Sequence, residues 1–142
     1  MAQPKRRCYV DTNIWITAIQ ASGPESMRAL EVIEDPEREL LISAYVRLEV
    51  LPKPRFHNRQ DQVENFTVMF SQAEDLPLYQ SAIVNNAIDI AATHDLTPID
   101  ALHISTAMHG HAQEFVTLEK PTKPMFRVTE MTMVSIYQQS GV

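Results

Sequence analysis

Short apolar runs alternating with longer stretches of helical periodicity constrain this 142-residue chain more than any other feature. Arg7-Cys8-Tyr9-Val10 is a compact apolar run that stops at Asp11-Thr12-Asn13, a sequence suited to a turn or helix cap. It predicts a buried strand followed by a helix over Ile14–Ala21, halted at Ser22-Gly23-Pro24. Met27, Leu30 and Ile33 recur at helical spacing and predict a second helix over Glu25–Glu34. Leu40-Leu41-Ile42 reads as a second buried strand, and Ser43 as the cap of a short helix reaching Leu51, ended by Pro52 and Pro54. Asn58–Ser71 is amphipathic through Val63, Phe66, Val68, Met69 and Phe70, and Asp75–Leu78 is a candidate short strand. A further helix over Tyr79–His94 carries Ile83, Val84, Ala87, Ile88, Ile90 and Ala91 as its stripe. Thr97-Pro98-Ile99-Asp100 opens another, closed by Gly110. Glu114–Thr117 is a third strand, Phe126-Arg127-Val128 a last one, and Thr129 a candidate cap for a terminal helix.

Strands alternating with helices imply an α/β fold: a three-layer sandwich whose mainly parallel sheet of four or five strands is covered on both faces. With no repeat, linker or low-complexity segment, residues 1–142 are expected to form one domain. In such sheets ligands bind outside the carboxyl ends of the strands. Asp11 directly follows the first strand, and Glu49 lies on the helix fed by the second. Asp100 sits in the first turn of its helix, and Glu119 just beyond the third strand. Carboxylates gathered on one rim repel one another unless a cation offsets them, so Asp11, Glu49 and Asp100, with Glu119 as a fourth, are expected to hold a divalent metal. Cys8 is alone, and His94, His103, His109 and His111 have no zinc-like pairing; hard oxygen donors point to Mg²⁺ or Mn²⁺.

One cysteine excludes an intrachain disulfide and fits a reducing compartment. The basic start Met1–Arg7 has no apolar run behind it, and no stretch approaches the ~20 apolar residues of a membrane helix. A cytoplasmic protein with no membrane partner is expected. The formal charge of −6 argues against nucleic acid, but much of the excess lies in the four rim acids, and Lys53, Arg55, His57 and Arg59 fall within one short segment. Those four are the candidate phosphate contacts, since backbone binding is electrostatic.

Four ordered pieces resemble the PIN domain: Val10-Asp11-Thr12-Asn13-Ile14, then Ile42-Ser43 with Glu49, then Thr97-Pro98-Ile99-Asp100-Ala101-Leu102-His103, then Phe115-Val116-Thr117-Leu118-Glu119. The likeness extends to the short VapC-type PIN proteins that serve as toxins in type II toxin–antitoxin pairs. It implies a parallel sheet flanked by helices and Mg²⁺- or Mn²⁺-dependent cleavage of single-stranded or structured RNA, leaving a 3′-hydroxyl and a 5′-phosphate. It assigns metal binding and catalysis to Asp11, Glu49 and Asp100, and allows for a small antitoxin partner and a homodimer. The family's fourth position usually carries Asp or Asn in a Thr-x-Asp pattern; here it reads Thr117-Leu118-Glu119, so a longer side chain stands there.

Each residue also has a plainer role. Asp11 and Asp100 suit helix caps, Glu49 could pair with Lys53 one turn on, Glu119 could occupy a surface turn, and the run from Lys53 to Arg59 could be a solvated loop. Thr12, Asn13, Ser43 and Thr117 are expected to steady the acids by hydrogen bonds, and His103 to be packed or hydrogen-bonded. Trp15, Phe66, Met69 and Phe70 read as core or subunit interface. The rival function is a catalytically weak PIN fold that binds RNA or protein without cutting. A haloacid-dehalogenase-like hydrolase needs a second acid two residues after Asp11, where this chain has Asn13, and the paired acids of a receiver domain are likewise missing.

Overall fold

A computed structural model of the protein describes residues 4–139, so the first three residues of the basic start lie outside it. Strands β1 (Arg6–Val10), β2 (Arg38–Ile42), β3 (Glu74–Asp75), β4 (Glu114–Thr117) and β5 (Thr132–Ser135) form one sheet. Their order is β3-β2-β1-β4-β5, and every pairing is parallel. The helices are α1 (Thr12–Gln20), α2 (Pro24–Ile33), α3 (Ala44–Val50), α4 (Pro52–Phe56), α5 (Gln60–Phe70), α6 (Gln80–His94) and α7 (Pro98–His109). Cys8, Tyr9 and Val10 of β1 and all of β4 are buried, as strands covered on both faces must be.

Side chains alternate across the sheet. Tyr9 and Phe115, register partners on β1 and β4, stack at 5.4 Å on the face that carries α7. Trp15 of α1 meets Phe70 edge-on at 5.3 Å, and Phe70 stacks on Phe66 of the same helix. The Trp15 indole N–H donates to Val10 O at 3.1 Å, which ties α1 to the end of β1 and leaves no buried donor unpaired. Trp15, Phe66 and Phe70 are therefore core residues rather than interface, Met69 packs half-buried against them, and Val68 is the large apolar side chain that α5 exposes. No helix among the described residues is long and apolar enough to cross a membrane.

The chain departs from the sequence reading where prolines and turns decide the outcome. Pro52 does end α3, but it also opens α4, because both Pro52 and Pro54 fall in a first turn whose N–H groups need no helical partner. The short strand forms one residue early, at Glu74–Asp75, and ends before Pro77. Phe126–Val128 is not a strand: Pro124–Arg127 is a 3₁₀ turn that buries Met125 and Val128, three residues apart, on one side. The last strand is Thr132–Ser135 instead, so Thr129 caps no helix. The α6 stripe is broader than its buried face, leaving Val84 and Ile88 exposed. Gly110 closes α7 as expected, for reasons of space: a Cβ there would lie 2.6 Å from Leu76.

Candidate metal centre

From β1 the sequence winds outward through β2 and β3, then returns to the other side of β1 as β4 and β5. The direction of winding reverses between β1 and β4, and a sheet of this kind opens a crevice at the carboxyl ends of those two strands. Asp11 and Thr117 stand on either side of it. The Asp11 backbone N–H donates to Val116 O at 2.9 Å, extending the ladder by one step. Asp11 Oδ1 accepts from the Thr12 N–H at 2.8 Å as the N-cap of α1, and Oδ2 accepts from Thr117 Oγ1 at 2.7 Å. The side chain thus caps and is also gripped from the facing strand, and the residue is 7 % exposed. Burial pushes its carboxyl above the usual carboxylate range; His103, the Thr117 hydroxyl and the Thr12 N–H pull it back, and the charge of Asp100 pushes it up further.

Asp100 occupies the third position of α7. Thr97 caps that helix, its Oγ1 accepting from the Asp100 N–H at 3.4 Å. Among the described residues the Asp100 carboxylate itself takes no hydrogen bond, so only half of a capping box is built.

Glu49, on α3, reaches the same rim by a different route. Its Oε1 accepts from Thr12 Oγ1 at 2.7 Å and from His103 Nε2, and not from Lys53. The His103 hydrogen bond holds the Glu49 carboxyl below the usual range, against the opposing effect of partial burial. His103 is buried, and its Nδ1 meets Tyr9 Oη at 2.7 Å, which in turn meets Ser43 Oγ at 2.7 Å. Ser43 therefore acts three hydrogen bonds away from Glu49. Asn13 bridges the crevice, donating to Thr117 Oγ1 at 3.3 Å and accepting from the Leu118 N–H at 3.2 Å.

Glu119 is fixed by its backbone: its N–H donates to Thr117 Oγ1 at 3.0 Å and its carbonyl accepts from Ser135 Oγ at 2.6 Å. The residue is half-buried, and its carboxylate takes no hydrogen bond among the described residues. Among the described residues, no three or more His, Cys, Asp or Glu side chains converge into a ready set of ligands. The charge of Asp100 acts on Asp11, while Glu49 is drawn toward His103.

The opposite edge of the sheet provides the contrast. There Arg6 pairs with Asp35, Glu37 and Glu114; Arg7 with Glu39 and Glu74; and Arg38 with Asp35 and Glu114. At the carboxyl edge, among the described residues, no Lys or Arg pairs with Asp11, Glu49, Asp100 or Glu119. A buried carboxylate under the charge of a second acid, with no Lys or Arg partner among the described residues, offers donors that fit a hard divalent cation.

The basic segment is divided. Lys53, Pro54, His57 and Arg59 join Gln20 and Gln62 around a cleft of about 570 Å³, and Arg55 is not part of its lining. Gln20 lies eight residues along α1 from Thr12, roughly 12 Å by helical rise, so the cleft and the acidic rim are neighbouring but separate. Tyr9 is the site residue that the sequence reading missed. In sequence it is one more apolar strand residue, and only the position of its hydroxyl, beneath His103, reveals its part.

The profile of the PIN domain matches residues 8–120. No curated protein is significantly similar in sequence. Among solved structures, the chain is similar to one in VapBC2 from Rickettsia felis bound to a DNA fragment from its promoter, with 18 % identity and a TM-score of 0.67 over 91 % of this chain and 98 % of that one. It is similar to one in a toxin–antitoxin complex from Klebsiella pneumoniae, with 18 % identity and a TM-score of 0.68 over 93 % and 99 %. A chain of FitAcB from Neisseria gonorrhoeae matches with 18 % identity and a TM-score of 0.55 over 90 % and 96 %. These structures share its fold. The profile match spans well over half of the sequence and includes Asp11, Glu49, Asp100 and Glu119: the chain belongs to the PIN-domain family.

Proposed function

We propose that this protein is a metal-dependent endoribonuclease that hydrolyses phosphodiester bonds of RNA, and that it acts as the toxin of a toxin–antitoxin pair. The observation that carries the reading is Asp11: a buried carboxylate at the winding reversal, under the charge of Asp100, with no Lys or Arg partner among the described residues. Asp11 and Asp100 would hold Mg²⁺ or Mn²⁺, with Glu49 and Glu119 as the outer members of the set. When bound, the cation supplies Lewis acidity, which lowers the pKa of water and offsets charge on the scissile phosphate. The chain's own residues orient the acids: Thr117 and Thr12 fix the two oxygens of Asp11, and Asn13 braces Thr117. Lys53, His57 and Arg59 would receive phosphates of the strand beyond the cut, with Arg55 at the margin.

The toxin role is supported by membership of the family and by likeness to chains from toxin–antitoxin complexes. A small antitoxin would cover the surface near α1 and α5. The test is cleavage of single-stranded RNA with Mn²⁺. The wild type should cut and Asp11→Asn should lose at least a hundredfold in rate; equal activity in the two would end the proposal.

A second reading, a catalytically weak PIN fold that binds RNA or protein, is favoured by Glu49 being engaged with His103 and by the glutamate at position 119. Calorimetry with Mn²⁺ separates the two, because a binding-only protein predicts no saturable metal site.

A further inference from the structure

We infer that His103, backed by Tyr9 and Ser43, is a positioning residue that holds Glu49 ready to ligate the cation through its free oxygen. The inference rests on the metal-site reading above. Both hydrogen bonds to the Glu49 carboxylate, from Thr12 Oγ1 and from His103 Nε2, fall on Oε1. Among the described residues Oε2 takes none, so the side chain is anchored at one oxygen and open at the other. A carboxylate that ligates through one oxygen while hydrogen-bonded at its second is a common way for a protein to orient a metal ligand.

The anchor is built, not incidental. His103 is 1 % exposed, and Nε2 must carry a hydrogen to serve a carboxylate. Its Nδ1 meets the Tyr9 hydroxyl at 2.7 Å, and that hydroxyl meets Ser43 Oγ at 2.7 Å, so both ends of the imidazole are fixed. Tyr45 packs edge-on against the ring at 6.4 Å. The chain Ser43–Tyr9–His103–Glu49 thus links the ends of β1 and β2 with α7 and α3, and no buried side-chain polar atom in the described structure lacks a partner. His103 lies three residues after Asp100 on α7, so one helix presents a proposed ligand and the group that orients another.

The experiment is Mn²⁺ calorimetry on the full chain, with melting temperature measured beside it. His103→Ala should weaken Mn²⁺ binding about tenfold to a hundredfold. His103→Gln, which returns an N–H near Nε2, should recover most of the loss, and Tyr9→Phe should cost a few-fold with its ring packing kept. In a Glu49→Ala background, His103→Ala should cost nothing further, since the effect runs through Glu49. Wild-type affinity in both His103→Ala and Tyr9→Phe overturns the inference and leaves the metal site standing. So does a loss that Gln does not recover, or one that persists when Glu49 is absent. A wild type that binds no Mn²⁺ overturns the metal reading itself and this inference with it.

Discussion

At the scale of single residues, Asp11 sets the terms. A carboxyl whose folded pKa is raised favours the protonated form in the native state. Its contribution to stability is therefore full below the ordinary carboxylate range and lost as pH rises through the raised value. Glu49 has the opposite sign: its folded pKa is depressed, so its contribution is present above the ordinary range and lost as pH falls through the folded value. Above the ordinary carboxylate range the metal-free protein thus loses stability to the charge that Asp11 must carry. Asp11→Asn keeps a competent helix cap and should stabilise the metal-free chain above the ordinary carboxylate range, with the pH-dependent loss removed. Denaturant melts at several pH values without metal check this; an unchanged pH profile would count against it. Thr117→Val should act the other way, since it deprives Asp11, Asn13 and the Glu119 N–H of a partner at once, and should cost about 1–3 kcal/mol in the same melts.

At the scale of elements, the central strands and the long helices were legible because their patterns are local. Cys8-Tyr9-Val10 and Phe115-Val116-Thr117 are short apolar runs bounded by polar residues, and Ile83, Ala87 and Ile90 fall on one side of a helix. What was not legible depended on neighbours. Met125 and Val128 suit a strand as well as a turn until the burial of both on one side selects the 3₁₀ form. The segment from Lys53 to Arg59 looked like a proline-broken loop, yet it forms α4 and the entry to α5 and gathers three of its four basic side chains into one cleft. That division predicts a difference. Lys53→Gln and Arg59→Gln should each weaken RNA binding across sequences and lower the salt dependence by about one phosphate contact. Arg55→Gln should do neither, and binding isotherms at several salt concentrations, made with uncleaved RNA and the Asp11→Asn variant as background, would show it.

At the scale of the whole molecule, charge is sorted by the ends of the strands. The amino edge is a set of arginines matched to Asp and Glu, while at the carboxyl edge Asp11, Glu49, Asp100 and Glu119 pair with no arginine or lysine among the described residues. The candidate acids were legible because strand ends can be found in sequence, and a parallel sheet places ligands there. Their partners were not: Tyr9, His103 and Ser43 meet only when β1, β2 and α7 are assembled. An edge held together against its own charge should respond to a counter-ion. Mn²⁺ at a hundred times its dissociation constant should stabilise the wild type by about 2.7 kcal/mol and leave Asp11→Asn nearly unmoved, as thermal melts would report. The most direct measurement is a crystal of the protein soaked in Mn²⁺ with anomalous diffraction recorded. The account predicts a peak bridging the carboxylates of Asp11 and Asp100 at the end of β1; a well-ordered rim with no peak would contradict it.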